Sequence, residues 1–307
     1  MKRDYRQIEW DESVAYAAHA LIRFALAEDL GEWGDVTAQA TIPKEAIGSA
    51  RLVARQPGVL AGLPVARHVL AAMNVPFQWT ACAEEGAPIE RGTLLAEMSG
   101  GVRDLLVAER TMLNLLSRLC GVATLTRRYV DAAAGGKARI YDTRKTTPGW
   151  RLLEKYAVAK GGGRNHRLGL YDSILIKDNH LAAIGGDDPG MAVGMALRAA
   201  NESLASFPAE RREHALVEIE VDTFQQLQAA LEAGGVDVIL LDNMDDEQLR
   251  RAAELRDQVA ADVELEASGG MTLDRIPSAA RTGVDRISVG ALTHQAVSLD
   301  IGLDWGA

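Results

Sequence analysis

The hydrophobic pattern of this chain changes rhythm twice. Within residues 13–29, Val14, Ala17, Ala18, Leu21, Ile22 and Ala25 recur at spacings of three and four. That spacing predicts an amphipathic helix ending near Gly31. From position 48 to about 101, short alternating runs cut by Gly and Pro take over, at 50–54, 58–62 and 93–98. This texture predicts strands and turns in a small β-rich region. A helical pattern then covers 102–134, with Leu105, Leu106, Met112, Leu113, Leu116 and Leu119 on its buried face and a break expected near Gly121.

Beyond Gly136 the rhythm becomes regular. Short apolar runs fall at 138–141, 173–176, 216–221, 236–241, 263–267 and 286–289, and the last four begin 20 to 27 residues apart. Helix-like segments such as 224–233 and 246–259 lie between them. Strand and helix alternating at this interval predict parallel βα units, hence an α/β fold. The runs end in Asp142-Thr143-Arg144-Lys145, Lys177-Asp178, Glu220, Asp242-Asn243, Ser268-Gly269-Gly270 and Gly290. Parallel α/β barrels build their active sites at the C-terminal ends of their strands, so this placement predicts a barrel with a site there.

Length and composition set the class. A chain of 307 residues, 48% hydrophobic and 25% charged, fits a soluble protein with one large domain and one smaller one. No apolar run reaches the roughly 18 residues of a membrane span, and the first residues lack a signal-peptide core. These features predict a cytoplasmic protein without a membrane partner. Cys82 and Cys120 form no framework, and both read as buried small hydrophobes. The stretch 85–95 echoes half of a biotinyl-type motif, but no lysine sits at a hairpin tip between two such halves.

Charge sharpens the picture. Residues 139–180 hold nine Lys or Arg against four Asp or Glu, in a chain whose formal net charge is -10. A positive cluster in an acidic body predicts a small, strongly anionic ligand rather than nucleic acid. Arg144, Lys145, Arg167 and Lys177 suit carboxylates, since guanidinium grips them with paired hydrogen bonds. His166, next to Arg167, suits a ligand contact or a proton donor. Ser268-Gly269-Gly270 and Val289-Gly290-Ala291 suit a phosphate at the last two strand ends. Glu220 and Asp242 suit ribose hydroxyls, Mg²⁺, or both. Ser-His-Asp, Cys/His metal, dinucleotide-binding and P-loop patterns are all missing.

Several of these motifs are long. Asp142-Thr143-Arg144-Lys145-Thr146-Thr147-Pro148-Gly149, Gly161-Gly162-Gly163-Arg164-Asn165-His166-Arg167 and Leu175-Ile176-Lys177-Asp178-Asn179-His180 resemble the quinolinate phosphoribosyltransferases. The likeness extends through Gly34-Asp35-Val36-Thr37, Glu109-Arg110-Thr111-Met112-Leu113-Asn114, Leu240-Leu241-Asp242-Asn243 and the terminal 299–305. It departs at Cys120 and Trp150, where Ser and Leu are expected, and in a longer stretch 185–214 read as Ala-rich helix on the outside.

The resemblance implies an N-terminal α/β (hammerhead-like) domain over 1–120 and an open parallel barrel of fewer than eight strands over 121–290, with a tail, 291–307, packing back on the first domain. It implies transfer of a phosphoribosyl group from phosphoribosyl pyrophosphate to quinolinate, with release of pyrophosphate and CO₂, in the de novo route to NAD. Quinolinate is assigned to Thr143, Arg144, His166, Arg167 and Lys177, and to Arg110 arriving from the partner of a homodimer. Phosphoribosyl pyrophosphate is assigned to Lys145, Glu220, Asp242, Ser268, Gly269, Gly270, Val289, Gly290 and Ala291. Lys145, Glu220 and Asp242 are the expected catalytic residues, and Glu220 and Asp242 would hold Mg²⁺ mainly through substrate and water. The rival readings are a paralogue with another substrate, a Schiff-base aldolase using Lys177, and a non-catalytic phosphate-sugar sensor.

Overall fold

The computed structural model describes residues 3–184, 188–212 and 215–306. In chain order the first elements are α1 (Glu12–Leu30), α2 (Val36–Thr41), β1 (Ile47–Ala54), β2 (Gly58–Val59), α3 (Leu63–Ala72), β3 (Phe77–Ala81), β4 (Pro88–Ile89), β5 (Leu94–Gly101) and α4 (Val102–Ala132). Then come β6 (Arg139–Tyr141), α5 (Arg151–Lys160), β7 (Ile174–Ile176), α6 (Asp178–Ile184), α7 (Pro189–Ala205), α8 (Ala209–Arg212), β8 (Val217–Val221), α9 (Phe224–Ala233), β9 (Val238–Asp242) and α10 (Asp246–Val259). The chain closes with β10 (Glu264–Ser268), α11 (Ile276–Ala279), β11 (Arg286–Ser288), α12 (Ala291–His294) and β12 (Ile301–Trp305). Two compact units result, each from discontinuous stretches: Ile8–Arg127, Thr146–Gly162 and Leu292–Ala307 in one, Met1–Gln7, Arg128–Lys145 and Gly163–Ala291 in the other.

The first unit holds an antiparallel sheet of order β12-β1-β5-β3. Helix α1 buries Val14, Ala18, Ile22 and Leu26 along one face, and the Asp11 carboxylate caps it by accepting from the Val14 N–H. The β-rich reading of 48–101 overlooked α3. Gly62-Leu63-Pro64 reads as a turn, yet proline in the first helical turn needs no N–H partner there. The expected break at Gly121 is absent, and α4 runs through it unbroken. Gly121 answers a packing demand instead: a Cβ there would stand 2.1 Å from the Val297 carbonyl oxygen. The crossing segment is tied down where the Leu299 N–H donates to the Ser117 carbonyl at 2.9 Å. Of the two cysteines, Cys120 is buried, which pushes its thiol up to about 12. Cys82 is exposed, contrary to expectation, because it follows edge strand β3, whose last residues face outward.

The second unit is a six-stranded parallel sheet of order β6-β11-β10-β9-β8-β7, curved into an open α/β barrel. Strands β6 and β7 are its free edges. A single parallel bridge between Tyr141 and Arg164 extends the β6 edge. Alternate strand residues such as Ile219, Ile239, Leu265 and Ile287 are buried, and α7 and α9 pack against the sheet at β7 and β8. Capping boxes at Thr223/Gln226 and Asp245/Gln248 set where α9 and α10 begin. Within 185–214 the expected Ala-rich helix is α7, and none of its residues lines the site cavity. It buries Val193 and Leu197 and packs on α9, β7 and β8, whereas 185–187 and 213–214 lie outside the described residues.

Gly121→Ala tests the packing account. Helix propensity alone would raise stability by about 1 kcal/mol. The clash with the Val297 carbonyl should instead lower it by more than about 2 kcal/mol, read as a fall in the urea midpoint.

Candidate active site

Six strands deliver their last side chains to the same end of the barrel, and a cavity of about 310 Å³ opens there. Thr143, Arg144, Lys145, His166, Arg167, Lys177, Glu220 and Ser268 line it, together with Leu175, Leu240, Glu266 and Ser288. The expected residues Asp242, which ends β9, and Gly269, Gly270, Val289, Gly290 and Ala291, which follow β10 and β11, lie at the same strand ends without lining the cavity. Arg110 is exposed on α4 in the other unit, where it lines a separate cleft of about 480 Å³ with Phe24, Asn114 and Trp150.

Local chemistry fixes the loops. Buried Asp142 accepts from Asn165 Nδ2 at 2.7 Å and from the His166 N–H at 2.8 Å. It thereby clamps the segment carrying His166 and Arg167 against the end of β6. Lys177 Nζ donates to Glu220 Oε2 at 2.8 Å across the β7–β8 pair. Gly269 and Gly270 adopt φ of +85° and +58°, open to glycine at little cost. A Cβ on Gly269 would stand 2.2 Å from Asn243 Oδ1. Arg275, which sequence reasoning missed, donates to the Gly269 and Met244 carbonyls and holds this turn.

The cation set is strained electrostatically. Burial lowers the Arg167 guanidinium from its usual range, and the Arg144 charge beside it lowers it further. Two guanidinium groups held together in a recess are stabilised most directly by an anion between them.

Below the cavity lies a polar floor that the strand-end reading did not include. His166 Nδ1 accepts the Arg167 N–H at 2.8 Å, which leaves Nε2 as the nitrogen that carries a proton. Nε2 faces Glu218 Oε2 at 3.1 Å and Glu266 Oε1 at 3.6 Å. Tyr5 donates its hydroxyl to Glu218. Burial opposes ionisation of Glu218, but His166, Tyr5 and Arg286 hold its carboxyl below the usual range. Glu266 goes the other way: burial, reinforced by Glu218, raises it to about 7. Two fully buried carboxyls therefore share one charge. The available signal was period-two alternation, which puts Glu218 on the face of Glu220, and Glu264 and Glu266 on the face of Ser268.

Two carboxylate arrangements invite a metal. His166, Glu218 and Glu266 lie within ligand reach of one another. A cation on Nε2 would displace the proton that the Nδ1 contact places there, and Arg286 already supplies positive charge to this cluster. Glu220 and Asp242 are hard oxygen donors at the ends of adjacent strands and suit Mg²⁺ better. Two carboxylates leave most of an octahedron to substrate and water.

A test follows from Glu266. Its folded value of about 7 exceeds the ordinary 4.5, so the native state holds a proton that the unfolded chain releases. This contribution is present at low pH and is lost as pH rises from about 4.5 to 7. Glu266→Gln should thus gain stability over wild type on moving from pH 4.5 to pH 8, by on the order of 1–3 kcal/mol, read by urea unfolding at both values.

The chain is similar to known proteins over nearly its whole length. The family model for the quinolinate phosphoribosyl transferase N-terminal domain matches residues 35–120, and that for the C-terminal domain matches 122–304. The chain is 47% identical over 290 residues to a nicotinate-nucleotide pyrophosphorylase (carboxylating) of Mycobacterium leprae, covering 94% of this chain and 97% of that protein. It is 39% identical to a probable enzyme of the same name in Bacillus subtilis, over 92% of each chain. The solved nicotinate-nucleotide pyrophosphorylase of Francisella tularensis superposes with a TM-score of 0.86 at 33% identity, over 99% of this chain and 100% of that one. With both of its domains matched in order and almost the whole length covered, the chain belongs to the quinolinate phosphoribosyl transferase family.

Proposed function

We propose that the protein joins quinolinate to phosphoribosyl pyrophosphate, giving nicotinate mononucleotide, pyrophosphate and CO₂, the de novo step toward NAD. The observation that carries this reading is the gathering of Arg144, Arg167 and Lys177 around one recess, with Arg167 desolvated beside a like charge. A flat dianion such as quinolinate answers that charge. Leu175 and Leu240 supply apolar wall for its ring. Thr143 and the His166 ring, which line the same cavity, are assigned to quinolinate as well. Lys145, exposed at the rim, and the turns at Ser268-Gly269-Gly270 and Val289-Gly290-Ala291 are assigned to the phosphoribosyl donor.

Chemistry then follows from placement. The quinolinate nitrogen attacks the anomeric carbon as the bond to pyrophosphate breaks, and positive charge builds on the ribose. Glu220, with Asp242 on the next strand, stabilises that charge without a covalent intermediate. Mg²⁺, held at Glu220 and Asp242 mainly through substrate and water, would neutralise the pyrophosphate. Once the ring nitrogen is cationic, the 2-carboxylate leaves as CO₂ and its bonding electrons remain on the ring carbon, which then takes a proton. Stripping water from the 2-carboxylate as the ring binds favours that loss of charge. An aldolase reading fits less well, because Lys177 Nζ is engaged by Glu220 rather than directed at a carbonyl.

The same proposal extends to assembly and setting. Arg110 joins the site from a second copy of the chain, so the active form is a homodimer, with larger assemblies open to it. Outward-facing Tyr16 and Phe24 on α1 give that contact its apolar area. The setting is cytoplasmic. Among the described residues no helix is long and apolar enough to cross a membrane.

Purified protein given quinolinate, phosphoribosyl pyrophosphate and Mg²⁺ should release CO₂ and pyrophosphate in equal amounts. Pyrophosphate release with nicotinate instead, and none with quinolinate, would overturn the proposal. Arg110→Ala and Lys177→Ala should each cut turnover by roughly a hundredfold or more. Mixed hybrids should recover part of it through one intact site per dimer, and hybrids that form without recovery would refute the shared site.

A further inference from the structure

The family models begin at residue 35, yet the segment before α1 reaches the centre of the barrel unit. Tyr5 is fully buried there, 2% exposed. Its ring stacks on the His166 ring at 4.4 Å between centroids and 28° between planes. Its hydroxyl donates to Glu218, the carboxylate that His166 Nε2 faces. The Arg286 guanidinium lies 5.5 Å from the Tyr5 ring centre.

The segment is anchored at both flanks. Asp4 accepts from the Tyr141 hydroxyl at 2.9 Å and pairs with Arg286 at 3.2 Å. Gln7 exchanges two hydrogen bonds with the Asn165 backbone, accepting from its N–H at 2.9 Å and donating to its carbonyl at 3.2 Å. Asn165 immediately precedes His166, so the anchor acts on the loop that carries the cavity residue. An imidazole whose two nitrogens are committed to Arg167 and Glu218 has no free proton to give. It serves the cavity as a fixed wall.

Resting on the functional reading above, we infer that Tyr5 is a positioning residue for quinolinate. It backs the His166 ring by stacking and donates to Glu218 Oε2, the same oxygen that His166 Nε2 faces, fixing that carboxylate so that the imidazole stays in its Nε2–H form and presents a constant surface to the substrate ring. Tyr5 itself touches no reacting atom. The phosphoribosyl donor, assigned to other strand ends, is insensitive to it.

Three proteins test this: wild type, Tyr5→Leu and Tyr5→Phe, each checked for folding by circular dichroism. Tyr5→Leu removes ring and hydroxyl. The expected result is a rise in the quinolinate KM of roughly fivefold to tenfold, with the KM for phosphoribosyl pyrophosphate changed less than about twofold. Tyr5→Phe keeps the stack and should restore most of the quinolinate affinity. In ¹⁵N-histidine spectra of ligand-free protein, the His166 signal should report a single Nε2–H tautomer in wild type and a mixture in Tyr5→Leu. An unchanged tautomer with unchanged quinolinate KM overturns the inference, and so does an equal rise in both KM values, which would mark general loosening. If Tyr5→Leu does not fold, Tyr5→Phe decides: a quinolinate KM raised as far as that of a His166→Ala protein would overturn the inference. Should wild type not turn over quinolinate at all, the functional reading fails, while the tautomer comparison still decides the role of Tyr5.

Discussion

A parallel barrel with charged residues inside must neutralise them, and this demand organises the catalytic unit. Glu218, Glu264, Glu266 and Arg286 all project from strands and are buried. An isolated ion in such a place costs several kcal/mol, so each needs a partner of opposite charge or a proton. Arg286 answers Glu264 at 2.5 Å, Arg139 reaches the same carboxylate at 2.7 Å, and Asp4 balances Arg286 and Arg139 from outside the sheet. Glu266, left without a hydrogen bond of ordinary geometry, is pushed up to about 7 instead. The floor of the site is thus rigid because breaking any one of these pairs strands another charge.

Above that floor the balance reverses. The rim is cationic where the floor is acidic, and the two are separated by less than the length of a strand: Glu218 and Glu220 sit two residues apart on β8, one in the buried network and one against Lys177. The field across the recess therefore runs along the strands. An anionic ring would be drawn to the arginines at the mouth and held off the carboxylates beneath it. Catalysis by positioning needs this kind of fixed, directional field more than it needs a nucleophile.

The periodic half of the chain was legible because its elements are local and repetitive. Residues 224–233 and 246–259 form helices over the expected bounds, since amphipathic spacing and capping boxes agree there. The rim residues were legible because they end strands. The hidden floor was harder: Glu218 and Glu266 look like ordinary members of polar-apolar alternation, and nothing local marks them as buried. Tyr5 was illegible for a different reason. Its partners are His166 and Glu218, far along the chain, so its role arises only from tertiary contact. Gly121 and Pro64 misled in the same way, as residues that usually interrupt helices but serve here in a crossing and a first turn.

The way the two units interleave has a consequence for biosynthesis. Strand β12, the last in the chain, pairs in register with β1, from Ala50 against Trp305 to Ala54 against Ile301. One edge of the first sheet therefore stays unfilled until residues 301–305 have been synthesised, after the whole barrel unit. During synthesis β1 presents a row of bare N–H and C=O groups while the whole barrel emerges behind it. The first unit cannot complete its sheet before the barrel unit has been synthesised; the emergence of β12, rather than of the N-terminal stretch alone, is the event that lets it close.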